Sequence, residues 1–86
     1  MKGFKRTAVF KKDYSRLPQN IKDAFWKQID LLFSDPRHSS LDLKKMQGFA
    51  NIWRAKVTGG YRFTFQIDGE FYLLRRIGSH DILKTP

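Results

Sequence analysis

The 86-residue sequence contains no cysteine, which removes disulfides, thiol nucleophiles and sulfur metal ligands at once. It also suits a reducing compartment. Histidine occurs only twice, as His38 and His80. Two isolated histidines among scattered aspartates do not make a metal site, and neither a metal nor another cofactor is expected. No glycine-rich phosphate loop and no carboxylate pair at useful spacing appear. No apolar run reaches membrane-spanning length, and the basic start Met1-Lys2-Gly3-Phe4-Lys5-Arg6 lacks the apolar block of a signal peptide. The expectation is a cytoplasmic protein without a membrane partner. Acidic residues are scarce as well: eight Asp and Glu stand against seventeen Lys and Arg, a net charge of +9. On so small a chain that excess points to a polyanionic partner, either nucleic acid, an acidic protein segment, or both.

What is present suffices for one core. Eight Phe, three Tyr and two Trp support a single domain over residues 1–86, a length with no room for a second core. The stretch Trp53 to His80 reads as three strands joined by tight turns at Gly59-Gly60 and Asp68-Gly69. Its middle run alternates, with Tyr61, Phe63, Phe65 and Ile67 on one face and Arg62, Thr64 and Gln66 on the other. The first run opposes Trp53, Ala55 and Val57 to Arg54 and Lys56. The polar face therefore gathers Arg54, Lys56 and Arg62. The third run adds Arg75 and Arg76, which point to opposite faces if the strand is regular, and His80 follows directly. In a regular strand Arg76 shares the face of His80.

The remaining chain supports that sheet. Residues 4–11 read as an opening strand, and Asp13 suits a cap for a short turn through Arg16. Leu17-Pro18 breaks it, with proline placed as the first residue of the next helix. Ile21, Phe25, Ile29 and Leu32, widened by Trp26, Leu31 and Phe33, predict an amphipathic helix over Gln19 to Ser34. Residues 37–48 read as a loop anchored by Leu41, Leu43 and Met46, with Lys44 and Lys45 beside the basic sheet. In the tail, residues 80–86, Ile82 and Leu83 suit one helical turn. The order β-α-β-β-β implies an α+β fold: a small antiparallel sheet of three to four strands, with one long and one short helix on one face. The other face cannot be covered by this chain alone. Phe10, Phe25, Ile29, Phe63, Phe65 and Ile67 are the predicted core.

Several segments, taken in order, carry a resemblance that covers nearly the whole chain. They are Phe10-Lys11-Lys12-Asp13, Leu17-Pro18, Leu32-Phe33-Ser34-Asp35-Pro36, Leu43-Lys44-Lys45-Met46-Gln47-Gly48, Trp53-Arg54, Tyr61-Arg62-Phe63 and Arg75-Arg76-Ile77-Gly78-Ser79-His80-Asp81. Together they resemble the RelE/ParE toxin superfamily of type II toxin–antitoxin pairs, in its RelE-like and YafQ-like branch. The resemblance implies a RelE-like fold and a metal-independent endoribonuclease that cuts messenger RNA on the ribosome and so blocks translation. It implies an acidic antitoxin as partner in a toxin–antitoxin hetero-oligomer, and a histidine near the C-terminus, here His80, acting as acid or base. Many RNA-cleaving relatives carry Tyr or Phe four residues later, where this chain has Lys84. Stacking then falls to Tyr72 or Trp53, or Lys84 takes a charge role.

Such cleavage needs a proton-transfer group and cations for the phosphorane charge. His80 fits the first task, since histidine titrates near neutrality. Arg62, Arg54 and Arg76 fit the second, because a guanidinium grips two phosphate oxygens and keeps its charge. Lys44, Lys45, Lys56, Lys84 and Tyr72 complete the expected RNA contacts. Two other readings fit the same residues: a non-enzymatic, ParE-like inhibitor of gyrase, and an inactive toxin-derived nucleic-acid-binding module.

Overall fold

Thr7 sets the course of the N-terminal segment. In the computed structural model, which describes all 86 residues, only Gly3–Arg6 (β1) is extended there. Thr7 caps a helix over Ala8–Ser15 (α1), its Oγ1 accepting the Phe10 N–H at 3.0 Å. The strand expected over residues 4–11 thus gives way to a helix halfway along. A hydroxyl that satisfies an orphan N–H outweighs the strand preference of Val9 and Phe10. Phe10 still enters the core, from a helix. Asp13 caps nothing. It lies inside α1 and turns its carboxylate to Arg76.

The second helix, α2, spans Gln19–Ser34 as expected. Pro18 stands just ahead of it, one position earlier than expected, and its carbonyl accepts the N–H groups of Ile21 and Lys22. Ile21, Phe25, Ile29 and Leu32 form the buried stripe. Gln28 is buried beside them and donates to the carbonyls of Ser40 (3.1 Å) and Lys56 (2.9 Å), tying the helix to loop and sheet. Trp26 and Phe33 stay at the rim of the stripe, and the Trp26 indole N–H donates to the Tyr14 hydroxyl at 2.8 Å.

A short 3₁₀ turn at Ser39–Leu41 leads into β2 (Lys44–Lys45), β3 (Trp53–Thr58), β4 (Tyr61–Asp68) and β5 (Phe71–Ser79). The sheet order is β1-β5-β4-β3-β2, antiparallel except for the parallel pair β1 and β5. Five strands in a mixed sheet replace the expected three or four antiparallel ones. The strand not expected is β2, an edge strand of two residues, too short to carry an alternation of its own. At the other edge, β1 is the expected opening strand shortened to four residues and paired parallel to β5. Gly59 (φ +42°) and Gly69 (φ +60°) supply the left-handed residues of the hairpins. The second turn is Gly69-Glu70, one residue later than expected.

The register predicted for β3 and β4 holds. Ala55, Val57, Phe63 and Phe65 are buried on the α2 face, and Phe63 meets Phe25 edge-on with ring centroids 5.3 Å apart. Ile67 departs from the prediction: it is 44% exposed. β3 begins with Trp53, opposite Phe65, so Ile67 lies beyond its neighbouring strand. There the Asn51 side chain takes over strand pairing, donating to the Ile67 carbonyl (2.9 Å) and accepting its N–H (3.3 Å). The opposite face is not left wholly open either. After β5 the chain turns through a 3₁₀ helix, His80–Lys84, and folds back so that the Thr64 hydroxyl donates to the Pro86 carbonyl at 3.1 Å. Thr64 is fully buried by this tail. No helix is long and apolar enough to cross a membrane.

The contrast along β4 is testable by urea denaturation. Phe65→Ala should cost about 3–5 kcal/mol, as for a buried phenylalanine. Ile67→Ala should cost about 0.5 kcal/mol, as for a surface site. Equal losses would contradict the observed end of the core.

Candidate nucleic-acid interface

Strand register collects the basic side chains into two rows. Lys44, Arg54, Thr64 and Arg76 are successive cross-strand partners over β2, β3, β4 and β5. Lys56, Arg62 and Gly78 form the adjacent row, about 6.6 Å away along the strands. None of the eight acidic residues stands in either row. Like charges directly opposite one another in a sheet repel. This face therefore keeps an arrangement that is unfavourable for the isolated fold.

The cations differ in how firmly they are held. Arg62 bends over the β3–β4 turn, Nη1 donating to the carbonyls of Gly59 (2.7 Å) and Tyr61 (2.9 Å). Its remaining N–H groups stay free. Arg54 and Lys56 are half-buried and enter no ion pair. Lys44 lies 3.7 Å from Asp42. Lys45 pairs in register with Trp53 and so belongs to the opposite face. Of the expected lysine pair, only Lys44 joins the basic rows.

β5 contains the irregularity that decides its arginines. Thr64 pairs with Arg76 and Phe65 with Leu74, which leaves Arg75 as an extra residue in a bulge. Tyr72 and Leu74 face the core before the bulge, and Ile77 faces it afterwards. Both arginines consequently reach the C-terminal tail instead of pointing to opposite faces. Arg75 donates through Nε to the Pro86 carbonyl (3.1 Å) and through Nη1 to Gln66 Oε1 (2.7 Å). Arg76 grips Asp13 with Nε (2.8 Å) and Nη2 (3.2 Å), and Asp13 also accepts the Ile77 N–H at 3.2 Å. The hydrogen bond to Asp13, partly opposed by desolvation and aided by the carboxylate's charge, raises the Arg76 pKa further above its ordinary value.

His80 follows β5 at the turn end of the sheet, two residues past Gly78, the partner of Arg62. It is exposed and opens the 3₁₀ helix. Lys84 is exposed at the far end of that helix. At three residues per turn, the two side chains point about a third of a turn apart. Tyr72 is removed from the expected RNA contacts. It is buried on the α2 face against Phe65 (5.1 Å) and Phe33 (5.2 Å), its hydroxyl donating weakly to the Leu32 carbonyl at 3.4 Å. Trp53 lies on that face too, lining a small apolar cavity with Leu43, Phe65 and Tyr72. Neither aromatic can stack a base on the basic face. His38 is spent locally, its Nδ1 accepting the Ser40 N–H at 3.1 Å.

The fold and this face define a small basic α+β protein with one helix-covered side and one side suited to a polyanion. No protein-family model matches the chain. Toxin RelE3 of Methanocaldococcus jannaschii is 31% identical over 75 residues, covering 80% of each chain. The chain belongs to the RelE toxin superfamily. A chain of the RelB–RelE antitoxin–toxin complex from Methanococcus jannaschii has a similar fold, with a TM-score of 0.75, 22% identity, and coverage of 94% of this chain and 95% of that one. So has YafQ from Escherichia coli, with a TM-score of 0.77, 14% identity, and coverage of 93% and 94%. These two likenesses concern the fold.

The burial of Tyr72 has a measurable consequence. Desolvation raises its pKa above 10.0, so the folded protein keeps the phenol proton after the unfolded chain has released it. Stability carried by this group is complete below pH 10 and is lost as pH rises further. The stability gap between wild type and Tyr72→Phe should therefore narrow or reverse as pH rises above about 10, as read from urea midpoints. A constant gap would mean a solvated phenol.

Proposed function

We propose that this chain is the toxin of a toxin–antitoxin pair and cuts messenger RNA without a metal, on the ribosome, thereby blocking translation. The observation that carries the reading is the pair of basic rows, which hold no acidic residue of their own, meet carboxylates only at Lys44 and Arg76, and end beside His80. An RNA strand laid across them meets Arg54 and Lys56, which have no competing acid, and Arg62, which the turn carbonyls hold in place. A cation fixed before the substrate arrives needs no reorganisation as charge develops on the phosphorus.

In the reaction, the 2′-oxygen bonds to phosphorus as its proton leaves. The bond to the 5′-oxygen breaks, and that oxygen takes up a proton, leaving a 2′,3′-cyclic phosphate. His80 is the proton-transfer group at one of these two oxygens. Arg54 and Arg62 hold the phosphate oxygens, with Lys44 and Lys56 extending the contact along the strand. Lys84 supplies charge where an aromatic ring stands in many relatives. The ribosome supplies much of the substrate positioning. An acidic antitoxin covers the same rows, by the charge complementarity that draws in RNA.

The burial of Tyr72 and Trp53 on the helix side favours a second reading, a toxin-derived module that binds nucleic acid without cutting it. Primer extension on messages from programmed ribosomes separates the two. Wild type should create discrete new 5′ ends. His80→Ala should fold normally and cut roughly 10²–10⁴-fold more slowly. Arg54→Ala should weaken RNA binding and lower the slope of log affinity against log salt by about one. Full cutting by His80→Ala would remove the histidine from the mechanism. Growth arrest without any cut message would leave the binding-only or gyrase-directed readings.

A further inference from the structure

Arg76 lies in a basic row yet has little left with which to hold a phosphate. A guanidinium has five N–H groups. Nε and one N–H of Nη2 are taken by Asp13, and Nη1 donates to Thr85 Oγ1 (3.1 Å) and to the Thr85 carbonyl (3.4 Å). Five less these four leaves one. The contacts instead join three separate parts of the chain: α1 through Asp13, β5 through Arg76 itself, and the tail through Thr85.

That tail carries His80. The His80–Lys84 helix has five residues, too few to persist unaided. The His80 side chain is exposed and makes no hydrogen bond of its own, so its aim depends on how the helix is mounted. One end continues from β5. At the other, Thr85 is held by Arg76, and the Pro86 carbonyl accepts from Thr64 and Arg75. Between them Ile82 is buried against Gly78, where an added Cβ would lie 3.0 Å from Ile82 Cγ2.

We propose that Arg76, backed by Asp13, is a positioning residue that aims His80 through Thr85, and that it is not the phosphate clamp its place in the row suggests. The proposal rests on His80 being the proton-transfer group. Misplacing a reacting group by about 1 Å costs on the order of 10²-fold in rate, so releasing the far end of a five-residue helix should lower turnover and leave RNA affinity intact.

Arg76→Lys, Thr85→Val and the double variant are compared with wild type in single-turnover cleavage on programmed ribosomes. Binding of a 2′-deoxy, uncleavable RNA is measured across a salt series. Ring ¹³C relaxation of His80 is recorded on the same proteins. Arg76→Lys keeps the charge but loses the two-pronged grip. Its cleavage rate should fall roughly 10–10²-fold, with binding and its salt slope unchanged. Thr85→Val, a surface change that leaves the core intact, should do the same, and the double variant should be no worse than either single one. Thr85→Ser, which keeps the hydroxyl, should restore the rate. His80 ring motion should increase in Arg76→Lys and Thr85→Val and not in Thr85→Ser. Near-normal cleavage by Arg76→Lys, with weaker binding and a smaller salt slope in Arg76→Gln, would make Arg76 a clamp and overturn the proposal. Unchanged His80 ring motion in Thr85→Val would overturn it too, whether or not RNA is cut. A wild-type protein that cuts nothing would count against the ribonuclease reading, and the relaxation data would still decide the mounting.

Discussion

The carboxylate of Asp13 is the contact on which the two sides of this molecule depend. It takes two hydrogen bonds from Arg76 and one from the Ile77 N–H, at the edge of β5 that β1 is too short to cover. Thr7, at the other end of α1, donates through Oγ1 to the Arg75 carbonyl at 2.9 Å. An eight-residue helix thus replaces an edge strand and pins a bulge at both ends. Side-chain exposure of 26% for Arg76 and 15% for Asp13 places the pair between two regimes. Exposed pairs contribute about 0–1 kcal/mol, and breaking a buried one costs about 3–5. Loss of Asp13 belongs near 2 kcal/mol on that scale. Unpinning the bulge would add to this, because the bulge fixes which face each later residue of β5 takes.

Charge is distributed at a cost to the fold. Lys44 faces Arg54 and Lys56 faces Arg62 in direct register, and each like-charged pair costs roughly 0.2–1 kcal/mol. Against a net stability of about 5–15 kcal/mol for a domain of this kind, two such pairs are tolerable but not negligible. Acids are available elsewhere: Lys2 pairs with Glu70 and Lys5 with Asp68 on exposed ground. Neutralising the rows with carboxylates would stabilise the isolated protein and abolish attraction to a polyanion. A partner that brings its own negative charge relieves the repulsion on binding, and the same physics serves RNA and an acidic protein.

What could be read from the sequence was whatever repeats with a period. The 3.6-residue stripe of α2 and the alternation of β3 and β4 place Phe25, Phe63 and Phe65 in the core. The same alternation puts Arg54, Lys56 and Arg62 on the opposite face. Features settled by single contacts were not legible. One hydroxyl, on Thr7, turns an apparent strand into a helix. Phe71-Tyr72-Leu73-Leu74-Arg75-Arg76-Ile77 has no alternation, so neither the bulge nor the inward aim of Tyr72 announces itself. Asp13 meets Arg76 across 63 residues of chain, and no local pattern links them. Ile67 follows the alternation faithfully and is still exposed, because burial there depends on where β3 begins.

These single contacts also explain how the tail that begins with His80 is held against the sheet. Within these 86 residues, α1 and α2 pack on one side of the sheet, and no α-helix builds a second layer over the other. The tail supplies a partial one. It buries Thr64 completely and accepts one hydrogen bond from Arg75 and the Nη1 donors of Arg76, but makes no hydrogen bond to Arg54, Lys56 or Arg62. The sheet's polar face is thereby divided along its length. The β5 side is spent on holding structure, and Arg54, Lys56 and Arg62, toward β3 and the turn, are left without a carboxylate partner. His80 lies on the border between them, at the first residue of the segment that makes the division. The tail behind it is anchored to the sheet, and the His80 side chain is exposed. A histidine held from one direction and solvated from the other can exchange protons without being locked into a structural hydrogen bond.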